Sequence, residues 1–368
     1  MSEPFEIFMV ATPGLESALL EEAHQNGFVG AKLTQAGVIF SGTWPDVWRA
    51  NLQMRGATRV LARIGSFMAF HLAQLDKRAR KFPWATLLRT DIPLRVDVST
   101  SRKSKIYHAG AATQRIENAL KANGYQIAPD APVSLKVRID DNRVTISLDS
   151  SGESLHKRGH KEAVGKAPIR ETLAALMLRA CGYDGTEPVL DPMCGSGTFL
   201  IEAAEWAAGL HPGRSRTFAF QHFANFDAAQ WDALCTQSAP VVPPQSFFGS
   251  DRDPGAVRMS TDNASRAGVA DFIRFENLSA ADINRPVGPP GLVMCNPPYG
   301  ARIGNQKMLF GLYATLGKTM QERFQGWRVG LVTSDPGLAK ATGLPFKPKG
   351  PPIPHGGLKV WLFQTDLL

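Results

Sequence analysis

The spacing of apolar positions changes along the chain, and the change divides it. Over roughly the first 150 residues, short strand-like runs alternate with helical spacing. Phe5–Ala11 predicts a strand, and residues 13–26 a helix in which Leu15, Ala18, Leu19 and Ala23 recur at helical intervals before Gly27 closes it. Further strands are predicted over 36–41, 59–64 and 93–100, and helices over 44–54, 71–82 and 109–123. Residues 133–139 and 143–148 make a hairpin around Asp140-Asp141-Asn142. From Pro168 onward a helix leads into Val189-Leu190-Asp191, and strands follow at 246–251, 272–275, 291–295, 329–333 and 357–364, with a helix over 307–324. That alternation predicts an α/β domain, its sheet mostly parallel with an antiparallel C-terminal end. Residues 210–245, rich in Pro, Phe and Trp, interrupt it and read as an insertion.

The chemistry lies where these strands end. Asp191-Pro192-Met193-Cys194-Gly195-Ser196-Gly197 joins an apolar strand to a helix former over 199–207. Its two glycines let a ligand approach the backbone, and the helix start offers unpaired N–H groups. A third glycine at dinucleotide spacing is missing, and no Gly-Lys-Ser/Thr follows, so neither a dinucleotide fingerprint nor a phosphate loop is present. A strand-ending acid before Gly-x-Gly suits a ligand that joins an amino acid to a nucleoside, as S-adenosylmethionine does. Ser246–Asp251 is a second strand ending in an acid, with Asp253 as N-cap and Pro254 at the first helical position. Asp251 is placed for ribose hydroxyls, though it follows Asp191 by 60 residues instead of the usual ~20. Asp282 is placed to accept from an adenine amine.

Asn296-Pro297-Pro298-Tyr299 follows the apolar run Gly291–Cys295. Two prolines stiffen the backbone where the strand stops. The Asn296 side-chain oxygen and the Pro297 carbonyl can both accept from one planar NH2 group, and the Tyr299 ring can stack on whatever carries it. This suits transfer to an exocyclic or amide nitrogen. Phe199 and Arg302 are further candidates for the pocket lining.

Asp-Pro-Met-Cys-Gly-Ser-Gly-Thr (191–198), Gly-Ser-Asp-Arg-Asp-Pro (249–254), Asn-Pro-Pro-Tyr-Gly (296–300) and Leu155-His156-Lys157-Arg158-Gly159 together resemble the THUMP-containing RNA guanine-N2 methyltransferases. The bacterial large-subunit rRNA enzymes are the nearest group. The resemblance extends to Thr12-Pro13-Gly14-Leu15-Glu16 and covers nearly the whole chain. It implies a Rossmann-like class I methyltransferase domain over 169–368, preceded by a ferredoxin-like domain (1–44), a THUMP domain (45–153) and a connector (154–168). It also implies S-adenosylmethionine as cofactor and the N2 amine of a guanine in 23S rRNA as acceptor. A tRNA guanine-N2 enzyme has the same modules. DNA adenine and protein glutamine methyltransferases share the tetrapeptide, but the basic N-terminal module resembles an RNA binder rather than a DNA target-recognition domain, and its strand-rich residues 1–150 do not match the small helical N-terminal domain of the glutamine enzymes.

Charge sharpens the RNA expectation. The net charge is +8, and residues 1–160 hold 21 Lys+Arg against 15 Asp+Glu. An uneven surplus of this kind is the footprint of a polyanion binder. Lys77, Arg78, Arg80 and Lys81, then Arg102, Lys103 and Lys105, and Lys157 and Arg158 of the connector are the candidate RNA contacts. No apolar run is long enough for a membrane span. The acidic start lacks a signal pattern, and the four cysteines lack metal or disulfide spacing, so the expectation is a cytoplasmic protein with no metal and no obligate protein partner. Cys194 and Cys295 flank the presumed site but lie in apolar contexts, where a small buried residue is expected rather than a nucleophile.

Overall fold

The computed structural model describes residues 3–162, 168–236, 240–300 and 306–368. Its internal contacts separate the chain into two compact units. One comprises Met1–Val10, Ala23–Leu155 and Arg216–Gln237; the other comprises Ala11–Glu22, His156–Ser215 and Ser238–Leu368.

The first unit is built on one seven-stranded sheet. Its strands are β1 (Phe5–Val10), β2 (Lys32–Thr34), β3 (Gly37–Gly42), β4 (Arg59–Met68), β5 (Leu94–Thr100), β6 (Val133–Asp140) and β7 (Arg143–Asp149), in the order β2-β3-β1-β4-β7-β6-β5. In chain order α1 (Glu16–Gln25), most of which belongs to the second unit, follows β1, and α2 (Trp44–Gln53) follows β3, the element sequence of a ferredoxin-like fold. Helices α3 (Leu72–Arg80) and α4 (Ala109–Ala122) accompany the remaining strands. The sheet runs without a break across the expected division at residue 44, because β4 pairs antiparallel with β1 on one side and with β7 on the other. A buried polar knot reinforces that seam. Asn51 donates to Ser150 Oγ at 2.8 Å, Ser151 Oγ donates to Asn51 Oδ1 at 2.6 Å, and the Val60 amide donates to Ser151 Oγ at 2.8 Å.

Much of the expected insertion belongs to this unit. Residues 216–237, with their helix α7 (Ala228–Cys235), supply aromatic rings to the tryptophans of α2. Phe220 stacks on Trp48 at 6.0 Å and meets Trp231 and Phe218, each at 5.1 Å, while Phe223 sits edge-on to Trp44 at 5.6 Å. The Phe and Trp richness read from the sequence is therefore a core contribution.

The second unit is a doubly wound sheet of β8 (Val189–Asp191), β9 (Phe247–Ser250), β10 (Ile273–Glu276), β11 (Leu292–Cys295), β12 (Arg328–Thr333), β13 (Ile353–His355) and β14 (Leu358–Gln364). The order is β10-β9-β8-β11-β12-β14-β13, parallel from β10 to β12 and antiparallel at β14 and β13. Its helices are α5 (Glu171–Ala180), α6 (Thr198–Ala207), α8 (Pro254–Ala267), α9 (Gln306–Arg323) and α10 (Pro336–Ala341). Strand order reverses between β8 and β11, the position where open α/β sheets bind ligands at their carboxyl edge.

Phe220 is fully buried among those rings. Phe220→Ala is expected to destabilise the first unit by about 3–5 kcal/mol, read from denaturant unfolding followed by near-ultraviolet circular dichroism.

Candidate active site

Asp191 ends β8, and Asn296 immediately follows β11, its neighbour in the sheet. The strand reversal therefore brings the two sequence motifs to one cavity of about 380 Å3. Asp191 to Ser196, Asp251 and Asn296 to Tyr299 line it, and Phe199 joins them as expected.

The turn after β8 is held by its own hydrogen bonds. Asp191 Oδ1 accepts from the Met193 amide at 3.0 Å, and the Gly197 amide donates to the Cys194 carbonyl at 2.7 Å. Asp251 accepts from the Gly195 amide at 3.1 Å and the Asp253 amide at 3.0 Å, so the acid after β9 fixes the glycine turn after β8. The two glycines serve different ends. Both have positive φ, but a Cβ on Gly197 would meet the Ser260 Cβ of α8 at 3.0 Å, whereas one on Gly195 would meet nothing within 4 Å. Gly197 permits helix packing, and Gly195 leaves cavity space that a side chain would fill.

The tetrapeptide is stiffened from behind. Tyr313 of α9, fully buried, donates from its hydroxyl to the Pro298 carbonyl at 3.3 Å. Among the described residues, Asn296 Oδ1 and the Tyr299 hydroxyl are buried without a hydrogen-bond partner. Unmatched buried polar atoms are costly in a core and understandable at a site built to receive a ligand. Burial pushes the Tyr299 hydroxyl up to about 12, so it stays protonated and available as a donor. Burial and the nearby Asp191 and Asp251 carboxylates hold the Cys194 and Cys295 thiols far above their usual range. Neither is a thiolate nucleophile.

The site matches a known family along the chain. The family described as RMKL-like, methyltransferase domain matches residues 158–346, and the RlmL ferredoxin-like domain matches residues 6–61. The chain belongs to the RMKL-like methyltransferase family. A ribosomal RNA large subunit methyltransferase K/L of Methylococcus capsulatus is 34% identical over 98% of this chain, and the chain spans 51% of that relative. A putative RNA methyltransferase of Synechocystis is 31% identical over 98% of this chain and 96% of its own length. A Listeria monocytogenes structure described as a predicted N6-adenine-specific DNA methylase superposes with a TM-score of 0.88 at 28% identity, covering 100% of this chain and 97% of the other. SMU.472, a putative methyltransferase complexed with S-adenosylhomocysteine, superposes at 0.87 with 25% identity, covering 100% and 99%.

This RMKL-like methyltransferase has the S-adenosylmethionine-dependent class I fold, and its residues fit that cofactor. The space left at Gly195 and the unpartnered polar atoms of Asn296 and Tyr299 all belong to the cavity that holds the glycine turn. Several lining residues carry no sequence signal, Ile169 and, on α9, Leu312 and Thr315, while Arg252 lies within the 249–254 motif. Lys161 supports the rim, with Nζ donating to Thr198 Oγ1 at 2.8 Å and the Ile169 carbonyl at 3.0 Å. Asp282 is exposed just past the lining residues Ser279 to Ala281, and its carboxylate accepts from Ser279 Oγ at 2.6 Å. Arg302 lies outside the described residues.

The candidate RNA contacts divide. Lys77, Arg78, Lys81, Arg102, Lys103, Lys105 and Lys157 are exposed. Arg80 is exposed too, but it is paired with Asp76 at 2.8 Å. Arg158 does not belong with them. It is 2% exposed and forks onto Glu202, at 3.0 and 3.3 Å, on the wholly buried face of α6. Among the described residues of the connector, Leu155 and His160 are buried as well.

Burial, reinforced by Asp251, pushes the Asp191 carboxyl up to about 8, against an unfolded value of about 3.9. Between those values the native chain holds a proton that the unfolded chain has released. Stability of the ligand-free protein from this group is therefore full below about pH 4 and declines until about pH 8. Asp191→Asn is expected to flatten that decline in thermal melts across the same range, and an unchanged pH slope would contradict it.

Proposed function

We propose that the chain methylates the exocyclic N2 amine of a guanine in RNA, with large-subunit ribosomal RNA as substrate. The observation that carries this is the unmatched Asn296 oxygen in the cavity that also holds the glycine turn. An NH2 group is the donor that such an acceptor calls for. The names of the rRNA and RNA methyltransferase relatives and the cationic surplus of the N-terminal half support RNA as the carrier.

When bound, S-adenosylmethionine supplies an electrophilic sulfonium methyl. Asp191, Pro192, Met193, Cys194, Gly195, Ser196 and Gly197 hold its amino-acid end and sulfur region, Asp251 takes the ribose hydroxyls, and Asp282 takes the adenine amine. The guanine amine is a weak nucleophile because its lone pair is delocalised into the ring. Acceptance of its two N–H groups by Asn296 Oδ1 and the Pro297 carbonyl favours a pyramidal nitrogen and localises that pair. Pro297 and Pro298 keep the acceptors in place, Tyr313 braces them, and the Tyr299 ring supports the base. The rest is proximity, which can supply several kcal/mol. No strong base is needed before transfer. We infer a THUMP role for the strands and helices beyond β4, and a cytoplasmic site of action.

A reading as a DNA adenine enzyme rests on the description of the Listeria structure, and the same tetrapeptide would serve it. Nucleoside mass spectrometry on fractionated RNA from cells lacking the protein separates these readings. Loss of N2-methylguanosine from large-subunit rRNA is expected. Loss from tRNA changes the substrate, and loss of N6-methyladenine from DNA overturns the reading.

Asn296→Ala is expected to remove detectable transfer while cofactor affinity stays within a few-fold, because its oxygen is assigned to the acceptor. Near-normal turnover would remove Asn296 from the mechanism. Tyr313→Phe is expected to lower kcat by about tenfold with little change in cofactor affinity, since about 1 kcal/mol of hydrogen bonding to Pro298 is lost.

A further inference from the structure

Three loops of the first unit meet at one end of its sheet, and a single residue joins them. The loops are Ala69–His71 after β4, Ser101–His108 after β5, and the Asp141-Asn142 turn between β6 and β7. Asn142 accepts at its carbonyl from the Ala69 amide at 2.9 Å and at Oδ1 from the Lys105 amide at 2.8 Å. Its own amide donates to Ser104 Oγ at 3.2 Å. Its φ of 61° is the left-handed conformation that Asn tolerates better than most residues.

This junction displays two aromatic rings. Tyr107 is 75% exposed and Phe70 is 42% exposed. Ile106 and Ser104 are buried, so Lys105 and Tyr107 between and beyond them are turned outward. The Tyr107 carbonyl accepts from Thr100 Oγ1 at 2.8 Å, which holds the backbone beneath the ring. Lys105 Nζ lies 5.5 Å from the Phe70 ring centroid. Arg102, Lys103 and Lys105 in the loop after β5 and Arg143 beside the Asp141-Asn142 turn are exposed, with the acids Asp140 and Asp141 at that same turn, of which Asp140 is engaged by Arg138 at 3.2 Å.

We propose that this three-loop end binds an unpaired stretch of RNA, with bases stacked on Tyr107 and Phe70 and phosphates met by the surrounding cations. The inference rests on the RNA reading above and adds to it a conformation of the RNA and the residues that select it. Scattered exposed apolar residues are ordinary. Two rings on loops tied by one asparagine, one 5.5 Å from Lys105 Nζ and the other in the loop that carries Arg102, Lys103 and Lys105, offer a stacking platform for polyanions. A cationic surface alone suffices for paired RNA, whose phosphates are outside and whose bases are already stacked. Exposed rings add affinity only when bases are free to leave each other, and each stacked base is then worth about 1–3 kcal/mol.

The test uses the full chain and fluorescence anisotropy at fixed salt. The probes are a short unstructured RNA oligonucleotide and a blunt RNA duplex of equal length. Tyr107→Ala and Phe70→Ala are each expected to weaken the unstructured probe about 5- to 150-fold and to leave the duplex nearly unchanged, whereas Tyr107→Phe retains binding. Lys103→Ala is expected to weaken both probes modestly. Retained S-adenosylhomocysteine binding shows that each variant is folded. Unchanged affinity of the two alanine variants for the unstructured probe, or equal losses on both probes, overturns the stacking proposal while the RNA reading stands. If the unaltered protein binds neither probe, the RNA reading falls with it.

Discussion

Everything the second unit does depends on two strands distant in sequence lying side by side. β8 and β11 are parallel neighbours, with Leu292 opposite Val189 and Val293 opposite Leu190, and every residue of both strands is buried. A parallel pair needs a long crossover, and here the chain completes two further strands before it returns. The reward is apolar burial along the strands and a polar edge where both end. Asp191 and Asn296 occupy that edge, and neither is comfortable there. One is a carboxyl pushed toward neutrality by burial, and the other is an amide oxygen without a partner. Sites that bind ligands are commonly less stable than they need be, because their groups are arranged for a partner that is absent while the chain folds.

Helix α6 carries the second constraint. Glu202 and Glu205 are wholly buried on it, and burying a charge is tolerable only with a well-placed counter-charge. The counter-charges come from outside the helix. Arg158 forks onto Glu202, and Arg214 meets Glu205 at 2.6 Å. Arg266 of α8 donates to the His160 carbonyl at 2.8 Å, and Lys161 reaches Thr198 at the first turn of α6. The basic connector is thus the brace for the helix whose N-terminus closes the glycine turn. Removing one member would leave an uncompensated buried charge next to the cofactor cavity.

This brace also marks what sequence can and cannot show. Basic clusters read alike whether solvated, phosphate-binding or buried, because a lone sequence does not reveal where the opposite charge lies. Arg158 was indistinguishable from Lys103 until Glu202 appeared beside it. Long periodic elements were legible, as were both motif turns, because their signals are local. The short β2, β13 and α7 were not, since a three-residue strand or an eight-residue helix leaves too little sequence for a period to show. The continuity of the first sheet across residue 44 was hidden for a different reason: it is decided by β4 pairing with β7, about 80 residues later. Leu312 and Thr315 line the cavity from α9 by tertiary placement alone, which no motif records.

If the substrate is RNA, as proposed, the cavity and the exposed rings would make the same demand of it. A concave site of about 380 Å3 that buries its acceptor oxygen cannot admit a base still paired and stacked in a helix. The base must leave its stack, at a cost of a few kcal/mol that is smallest where the strand is already unpaired. A surface that stacks bases on Tyr107 and Phe70, as proposed, would favour that same unpaired state. Cations alone would hold paired and unpaired RNA alike, and the cavity would then bear the full cost of opening. On the proposed reading, the rings would favour an unpaired strand by its conformation, and the cavity would favour guanine by its amine.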